Sequence, residues 1–307
     1  MTVLRIVQIA ADDFESAALT VDETLNRSMR AMIHRERARL CPLTKMQTHS
    51  VSIVAAFVAL IACQSCSKDA PIEQPSMATV YSSKIGAVDI EVDYAKGADP
   101  YTGTVAGIDL WMLFKTNATR LLNAGNGSKT LTVPTTLAAM QELTDIAGTS
   151  FTSEQIFDIA KNHRNVVNTS STASFYVLFL PGYFEENGKQ RTDVLGLSFG
   201  GTGIIAMFKP VIENGVTGPA SVLIEQSTLI HEFGHAVGLV NNGVPLQSVH
   251  QDSAHDAHCG NVDCVMYYQN EGAFFARAFI AGIVSDTAVL FDSACLADID
   301  AFASAQK

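Results

Sequence analysis

Ser221-Val222-Leu223-Ile224-Glu225-Gln226-Ser227-Thr228-Leu229-Ile230-His231-Glu232-Phe233-Gly234-His235-Ala236-Val237-Gly238 is the stretch on which the reading of this chain turns. Neither Gly nor Pro interrupts it from Ser221 to Phe233, and its apolar residues recur at helical spacing, which predicts a largely buried helix. On a helix, residues i and i+4 share one face, so His231 and His235 present two imidazoles to the same point. Such a pair suits one zinc ion, and Glu232 beside the first His is placed to act as general base for a water on that ion. Two His and a Glu on an apolar helix are costly to bury without partners, and a metal supplies the partner. Gly238 stands where the helix can close in a left-handed turn that sends the chain back toward the metal.

Catalytic zinc takes three protein ligands and keeps one position for water. The chain holds eight His, and His250, His255 and His258 follow the motif pair at short range. Asn241, three residues after Gly238, is a poor zinc ligand. His250, Asp252 and His255 also read as a polar surface loop, or as a small separate metal site.

Further on stands His258-Cys259-Gly260-Asn261-Val262-Asp263-Cys264-Val265-Met266-Tyr267-Tyr268. Together with the helix motif it resembles the metzincin metallopeptidases, whose long motif HExxHxxGxxH is followed by a Met-turn. The His-Cys-x4-Cys-x-Met spacing is most similar to the archaemetzincin branch. The resemblance spans residues 221–268. It implies an α/β (α+β) metzincin-like zincin domain: a mixed twisted sheet with backing helices, then zinc helix, Met-turn and C-terminal helix. Carried over residue by residue, it implies Zn2+ held by His231, His235 and His258, with Met266 as the Met-turn residue beneath the site. In the astacin and serralysin branches a Tyr two residues past that Met lies near the zinc. This implies that the Tyr268 hydroxyl steadies a developing oxyanion. The chain departs from the pattern in two ways. Residues 241–257 intervene before His258, which leaves His250 and His255 open as third ligand. And no Cys-x-x-Cys follows Met266, where the archaemetzincin resemblance implies a further zinc site.

Zinc lowers the pKa of a bound water and polarises a scissile carbonyl. Glu232 would take the water's proton and pass it to a leaving amine. Hydrolysis of a peptide bond in a protein or peptide substrate is the reaction that uses all these parts. Two other readings stand beside it. One is a gluzincin-type peptidase with Glu271 as third ligand in place of a His. The other is a non-catalytic, surface-binding lipoprotein on a peptidase scaffold; the intact Glu232 counts against it.

Residues 51–62 form an apolar run too short to span a bilayer but suited to a signal-peptide core, and Arg35, Arg37, Arg39 and Lys45 precede it. Leu60-Ile61-Ala62-Cys63 resembles a bacterial lipobox. That implies cleavage before Cys63, a lipid anchor on its thiol, and export to the cell envelope. Cys66 is the alternative acceptor, and ordinary secretion the alternative route. Residues 1–45 show no core pattern, and translation is expected to begin at Met32 or Met46. The expected organisation is therefore 1–62 misplaced start plus lipoprotein signal, 63–80 tether, and 81–307 a single catalytic domain. Of six Cys, three fall in that domain. Cys259–Cys264 is the expected disulfide and Cys264–Cys295 the alternative. A net charge of −11 argues against nucleic acid as a partner. The oligomeric state is left open.

A coarse pass gives an α/β order. Strands are predicted at Val88–Tyr94, Ser174–Leu180, Leu195–Phe199 and Gly203–Phe208, the last two around Gly200-Gly201. Helices are predicted at Asp109–Leu122, from Thr152 to His163 with a Thr152/Gln155 capping box, and near Asp292–Ala303. One strand of the Gly200-Gly201 pair is expected at the sheet edge, where an extended substrate can add as a further strand above the zinc.

Overall fold

A computed structural model describes residues 76–215, 218–271, 279–280 and 282–307. The signal core, the proposed lipid acceptors Cys63 and Cys66, and most of the tether lie outside the described residues. Met77–Tyr81 forms a short helix, α1, capped by Ser76, and it buries Val80 and Tyr81. The last residues of the expected tether, Met77 to Val80, thus lie in this helix, with Val80 buried.

From there the chain runs β1 (Ala87–Ala95), β2 (Thr104–Val105), β3 (Ile108–Asp109), α2 (Leu110–Leu122), β4 (Thr130–Thr132), β5 (Gln141–Leu143), β6 (Ser150–Phe151) and α3 (Ser153–His163). Next come β7 (Thr172–Leu180), β8 (Tyr183–Glu186), β9 (Lys189–Arg191), β10 (Gly196–Phe199), β11 (Ile204–Phe208), α4 (Lys209–Gly215), α5 (Pro219–Ala236) and α6 (Ser293–Ala305). The main sheet has six strands in the order β10-β11-β7-β1-β4, with β5 also paired to β1. All of its ladders are parallel except β10–β11, which is antiparallel and leaves β10 at the edge. The fold is mixed α/β, a mixed sheet with backing helices.

Sequence explains most of this. In β7, Ala173 to Leu180 are buried without a break, as a central parallel strand covered on both faces requires. Asp109 starts α2 by accepting from Met112 N at 2.9 Å, and Leu110, Trp111, Leu113, Phe114, Ala118, Leu121 and Leu122 form its buried stripe. Thr152 and Gln155 make the reciprocal capping box of α3. Asp292 caps α6 by accepting from Cys295 N. Among the described residues, no helix is long and apolar enough to cross a membrane.

α5 carries the motif. It packs on α2 and on β10 and β11. Phe233 stands edge-on to Phe114 at 5.6 Å and to Phe175 of β7 at 5.1 Å. Near the other end of the helix, the buried Glu225 accepts from Lys209 Nζ at 2.6 Å and from Tyr101 N at 2.7 Å. The Lys209 ammonium also lies 3.5 Å from the centre of the Tyr101 ring. Removing one partner from so buried a pair leaves an uncompensated charge, so this group fixes α5 along its axis.

Candidate metal centre

His231 and His235 lie on the last two turns of α5, both at buried or nearly buried positions. The helix ends as the motif foretold. Gly238 has φ +88°, Leu239 N donates to Gly234 O, and Gly238 N donates to His235 O, which together make a Schellman turn. Residues 241–257 then leave and return. Asp252 N donates to His258 O, Gly260 N to His250 O and Cys259 N to Met266 O, each at 2.8 Å. These bonds hold the strip after the insertion beside the end of α5 and place the His258 ring against both motif rings. The ring centres are 4.7 Å apart for His231–His235, 5.3 Å for His231–His258 and 5.0 Å for His235–His258.

The orientation of two of these rings follows from their outer partners. His231 Nδ1 lies 2.7 Å from Val265 O, and His258 Nδ1 lies 2.9 Å from Asp256 O. A carbonyl only accepts, so both Nδ1 atoms carry the proton and both Nε2 lone pairs face inward. His235 Nε2 is 3.0 Å from His231 Nε2. Glu271 joins them: its Oε1 is 2.8 Å from His258 Nε2, 3.5 Å from His231 Nε2 and 3.8 Å from His235 Nε2. His231, His235, His258 and Glu271 thus bring one ligand atom each within 4.8 Å of one another. A tetrahedral zinc with bonds of about 2.0–2.1 Å holds its nitrogen and oxygen ligands about 3.3 Å apart, in the middle of these spacings. The donor set fits the ion. Carbonyls that accept from the outer ring nitrogens and so orient the inner ones are also what a metal site needs.

Glu232 is 2% exposed and faces the edge strand. A Cβ added to Gly196 of β10 would lie 3.0 Å from Glu232 Cγ and 3.1 Å from Thr228 Cγ2, so a side chain there would press on Glu232, and glycine lets β10 pass close to the helix. Burial pushes the Glu232 carboxyl up to about 7, against the pull of His231. Burial likewise lowers the His235 imidazole to about 4. Burial alone would lower His231 too, but its bond to Glu271 and the charge of Glu232 hold it above its ordinary value. For Glu271, burial works toward a higher value, yet its contacts with the three imidazoles hold it well below the usual carboxylate range.

Met266 is fully buried, with its thioether directly against Gly234 on the side of α5 away from Gly196. Tyr268 opens a 3-10 turn, Tyr268–Glu271; its ring stacks on His255 with centres 3.5 Å apart, and its hydroxyl accepts from Gln269 Nε2. Of the alternatives to His258, His255 pairs with Asp252 at 3.2 Å, and His250 bonds Asp298 at 2.6 Å, so neither joins the motif pair. Glu271 does not replace a His, as the gluzincin reading had it; it stands beside three. The expected Cys259–Cys264 disulfide is absent. Cys259, Cys264 and Cys295 carry free, buried thiols, because α6 brings Cys295 to 3.7 Å from Cys264 and all three sulfurs share one pocket with His250. Glu271 was foreseen only as a ligand in place of a His, and Gly196 and Asp298 were not foreseen at all. Of the last two, only the glycine left a sequence signal, as the small residue that opens β10.

No family model matches the chain, and no curated protein matches it. Among solved structures it is similar to a zinc-dependent peptidase from Methanocorpusculum labreanum (strain Z), with 11% identity over 68% of this chain and 99% of that chain and a TM-score of 0.39.

Proposed function

We propose that this chain is a zinc-dependent peptidase of metzincin type, with His231, His235 and His258 as metal ligands and Glu232 as general base. The observation that carries the reading is the convergence of three imidazole nitrogens, two of them oriented by backbone carbonyls, beside a buried carboxylate. A zinc ion held there supplies Lewis acidity toward a carbonyl and makes water a better nucleophile near neutral pH. Glu232, raised toward neutrality by burial, accepts a proton from the attacking water and releases it to the leaving amine. Burial against β10 fixes its carboxyl on the sheet-edge side of the ligands. An extended peptide that adds to the free edge of β10 by main-chain hydrogen bonds lies alongside that carboxyl. Met266 packs beneath the helix that carries two of the ligands, in the part a Met-turn residue plays. Tyr268 is assigned to the oxyanion, and Tyr268→Phe is expected to lower kcat while KM and metal content stay put.

The test of the central claim is Glu232→Gln. The variant is expected to bind one zinc at this centre as the wild type does and to lose hydrolysis of a denatured-protein substrate. Full activity in a pure, zinc-loaded variant refutes the mechanism. A zinc-loaded wild type inert on varied proteins and peptides favours the non-catalytic lipoprotein instead.

A second reading rests on Glu271, whose contacts give the set a fourth protein donor. In it, Glu271 is a resident ligand and the centre is closed. Metal-edge X-ray absorption on wild type and Glu271→Ala separates the two: the loss of one oxygen neighbour supports residency. Export and lipid attachment at Cys63 are part of the proposal, and mass spectrometry of the N-terminal peptide from a bacterial envelope fraction tests them.

A further inference from the structure

Away from the three imidazoles, a second group of donors has no part in the reaction above. His250, Cys259, Asp292 and Cys295 bring ligand atoms within 4.8 Å of one another, and Cys264 adjoins them. The thiols sit at fully buried positions. We propose that Cys259, Cys264, Cys295 and His250 Nδ1 form a second, structural site for zinc. It stands independently of the peptidase reading.

The spacings suit it. Tetrahedral zinc with Zn–S near 2.3 Å and Zn–N near 2.0 Å sets its sulfurs about 3.8 Å apart and sulfur from nitrogen about 3.5 Å apart. Here Cys264 Sγ and Cys295 Sγ are separated by 3.7 Å, His250 Nδ1 and Cys259 Sγ by 3.5 Å, and Cys295 Sγ and His250 Nδ1 by 3.9 Å. A disulfide needs sulfurs near 2.05 Å, so these are not bonded pairs.

The imidazole is prepared for a metal. The fully buried Asp298 of α6 places Oδ2 at 2.6 Å from His250 Nε2, while its Oδ1 accepts from Gln247 N. Nε2 therefore donates, and Nδ1 turns its lone pair to the sulfurs. A carboxylate behind a metal-binding His is the usual outer support of such a ligand. Backbone supports a sulfur too: Asp292 N points to Cys264 Sγ at 3.4 Å. Asp292 is engaged by hydrogen bonds, Oδ1 accepting from Cys295 N and Oδ2 from Asn261 Nδ2 and from Cys259 Sγ at 3.4 Å, and we place it beside the sulfurs as their partner, with Cys264 as the fourth ligand. Three thiolates and one imidazole in tetrahedral array select zinc over the hard divalent ions.

The ligands come from the 241–257 insertion, from the adjoining strip that carries His258 and Met266, and from α6, where Cys295 stands 31 residues after Cys264. A metal here ties all three together, which is the work of a structural site.

The experiment uses the full chain loaded with zinc, and in parallel with Co(II). The wild type is expected to hold two metals per chain and, with Co(II), to show a thiolate-to-cobalt charge-transfer band in the near ultraviolet. The His231→Ala/His235→Ala double variant is expected to lose one metal and keep the band. Cys295→Ser and His250→Ala are expected to lose the other metal and lose or shift the band. Where a variant does not fold, the wild-type band and the protection of its three thiols from alkylation, lost on adding chelator, decide. Absence of the band, thiols alkylated equally with and without chelator, or a Cys264–Cys295 disulfide found by mass overturns the proposal. Because the imidazole centre gives no thiolate band, failure here is distinguishable from failure of the peptidase centre.

Discussion

Gly234 sits between the two metal-facing His of α5, and adding one methyl there tests how the floor of the site is built. In an open helix Gly→Ala stabilises by about 1 kcal/mol, because alanine loses less backbone entropy. Here the added Cβ would overlap Met266 Sδ and come within 3.1 Å of Phe291 Cε1. Both neighbours are packed in the core, so neither has free volume to retreat into. Overpacking of this kind costs about 1–3 kcal/mol, and contact with two separate side chains places the case toward the upper end. The net expectation for Gly234→Ala is a loss of about 1–2 kcal/mol, or a fall in Tm of about 2–8 °C for a chain of this size. The strain also has a direction. Met266 follows Val265, whose carbonyl orients His231, so moving Met266 disturbs the ligand behind it. Zinc affinity at the imidazole centre should fall with stability. The assays are chemical denaturation of the metal-free chain and competition for zinc against a chromophoric chelator. Met266→Ala in the same background should recover part of the Gly234→Ala loss, so that the double variant is more stable than the sum of the singles. A Gly234→Ala protein as stable as wild type, or additive with Met266→Ala, refutes the packing argument.

Other expectations follow from single groups. His258→Ala should weaken zinc at the imidazole centre by at least tenfold, whereas His255→Ala should leave it unchanged; competitive titration reads both. Lys209→Met leaves Glu225 buried without its cation and is expected to cost about 3–5 kcal/mol at pH 7. Burial raises Glu225, so acid neutralises the orphaned carboxylate, and the deficit against wild type in urea melts should shrink as pH falls. Asp93 in β1 is fully buried; burial, opposed by a hydrogen bond from Tyr176, raises it to about 7. Its folded value exceeds its unfolded one, so the folded state keeps a proton that the unfolded chain releases, and stability declines as pH rises from about 4 to 7. Asp93→Asn should remove that decline, which amounts to at most about 4 kcal/mol, and stability measured from pH 4 to 8 should be flatter in the variant.

The parts of this fold that were legible in sequence are those fixed by neighbours along the chain. The His231/His235 pair needs only helical periodicity, and α5 supplies it from Pro219 to Ala236. Thr152 and Gln155 act across one turn, and Asp109 and Asp292 each cap the helix that begins after them. β1 shows in the sequence because Val88 to Tyr94 alternate apolar and acidic residues, and β7 because a strand covered on both faces is an apolar run. The short strands β2, β3, β6, β8 and β9 were not legible. Each has four residues or fewer, too few to show a period, and they exist only because the fold brings them a partner.

The third imidazole was only half legible, and the reason is physical. Spacing identifies a ligand where a fixed number of residues must cross a fixed gap, as from Gly238 to a His three residues on. With residues 241–257 inserted, distance along the chain no longer limits distance in space, and any His beyond the insertion is a candidate. What selects His258 is pairing made after the insertion. Cys259 bridges Gln251 on one side and Tyr267 on the other, which fixes the residue before it against the end of α5. The same pairing withdraws His250 from the motif pair, turning its ring to Asp298 and the sulfurs. The two fates are linked. If a metal on the sulfurs holds this pairing, then His250→Ala should also loosen zinc at the imidazole centre, though His250 touches none of its donors. A His250→Ala protein that loses the thiolate metal yet binds zinc at His231, His235 and His258 as tightly as wild type shows instead that the backbone bonds alone hold His258 in place.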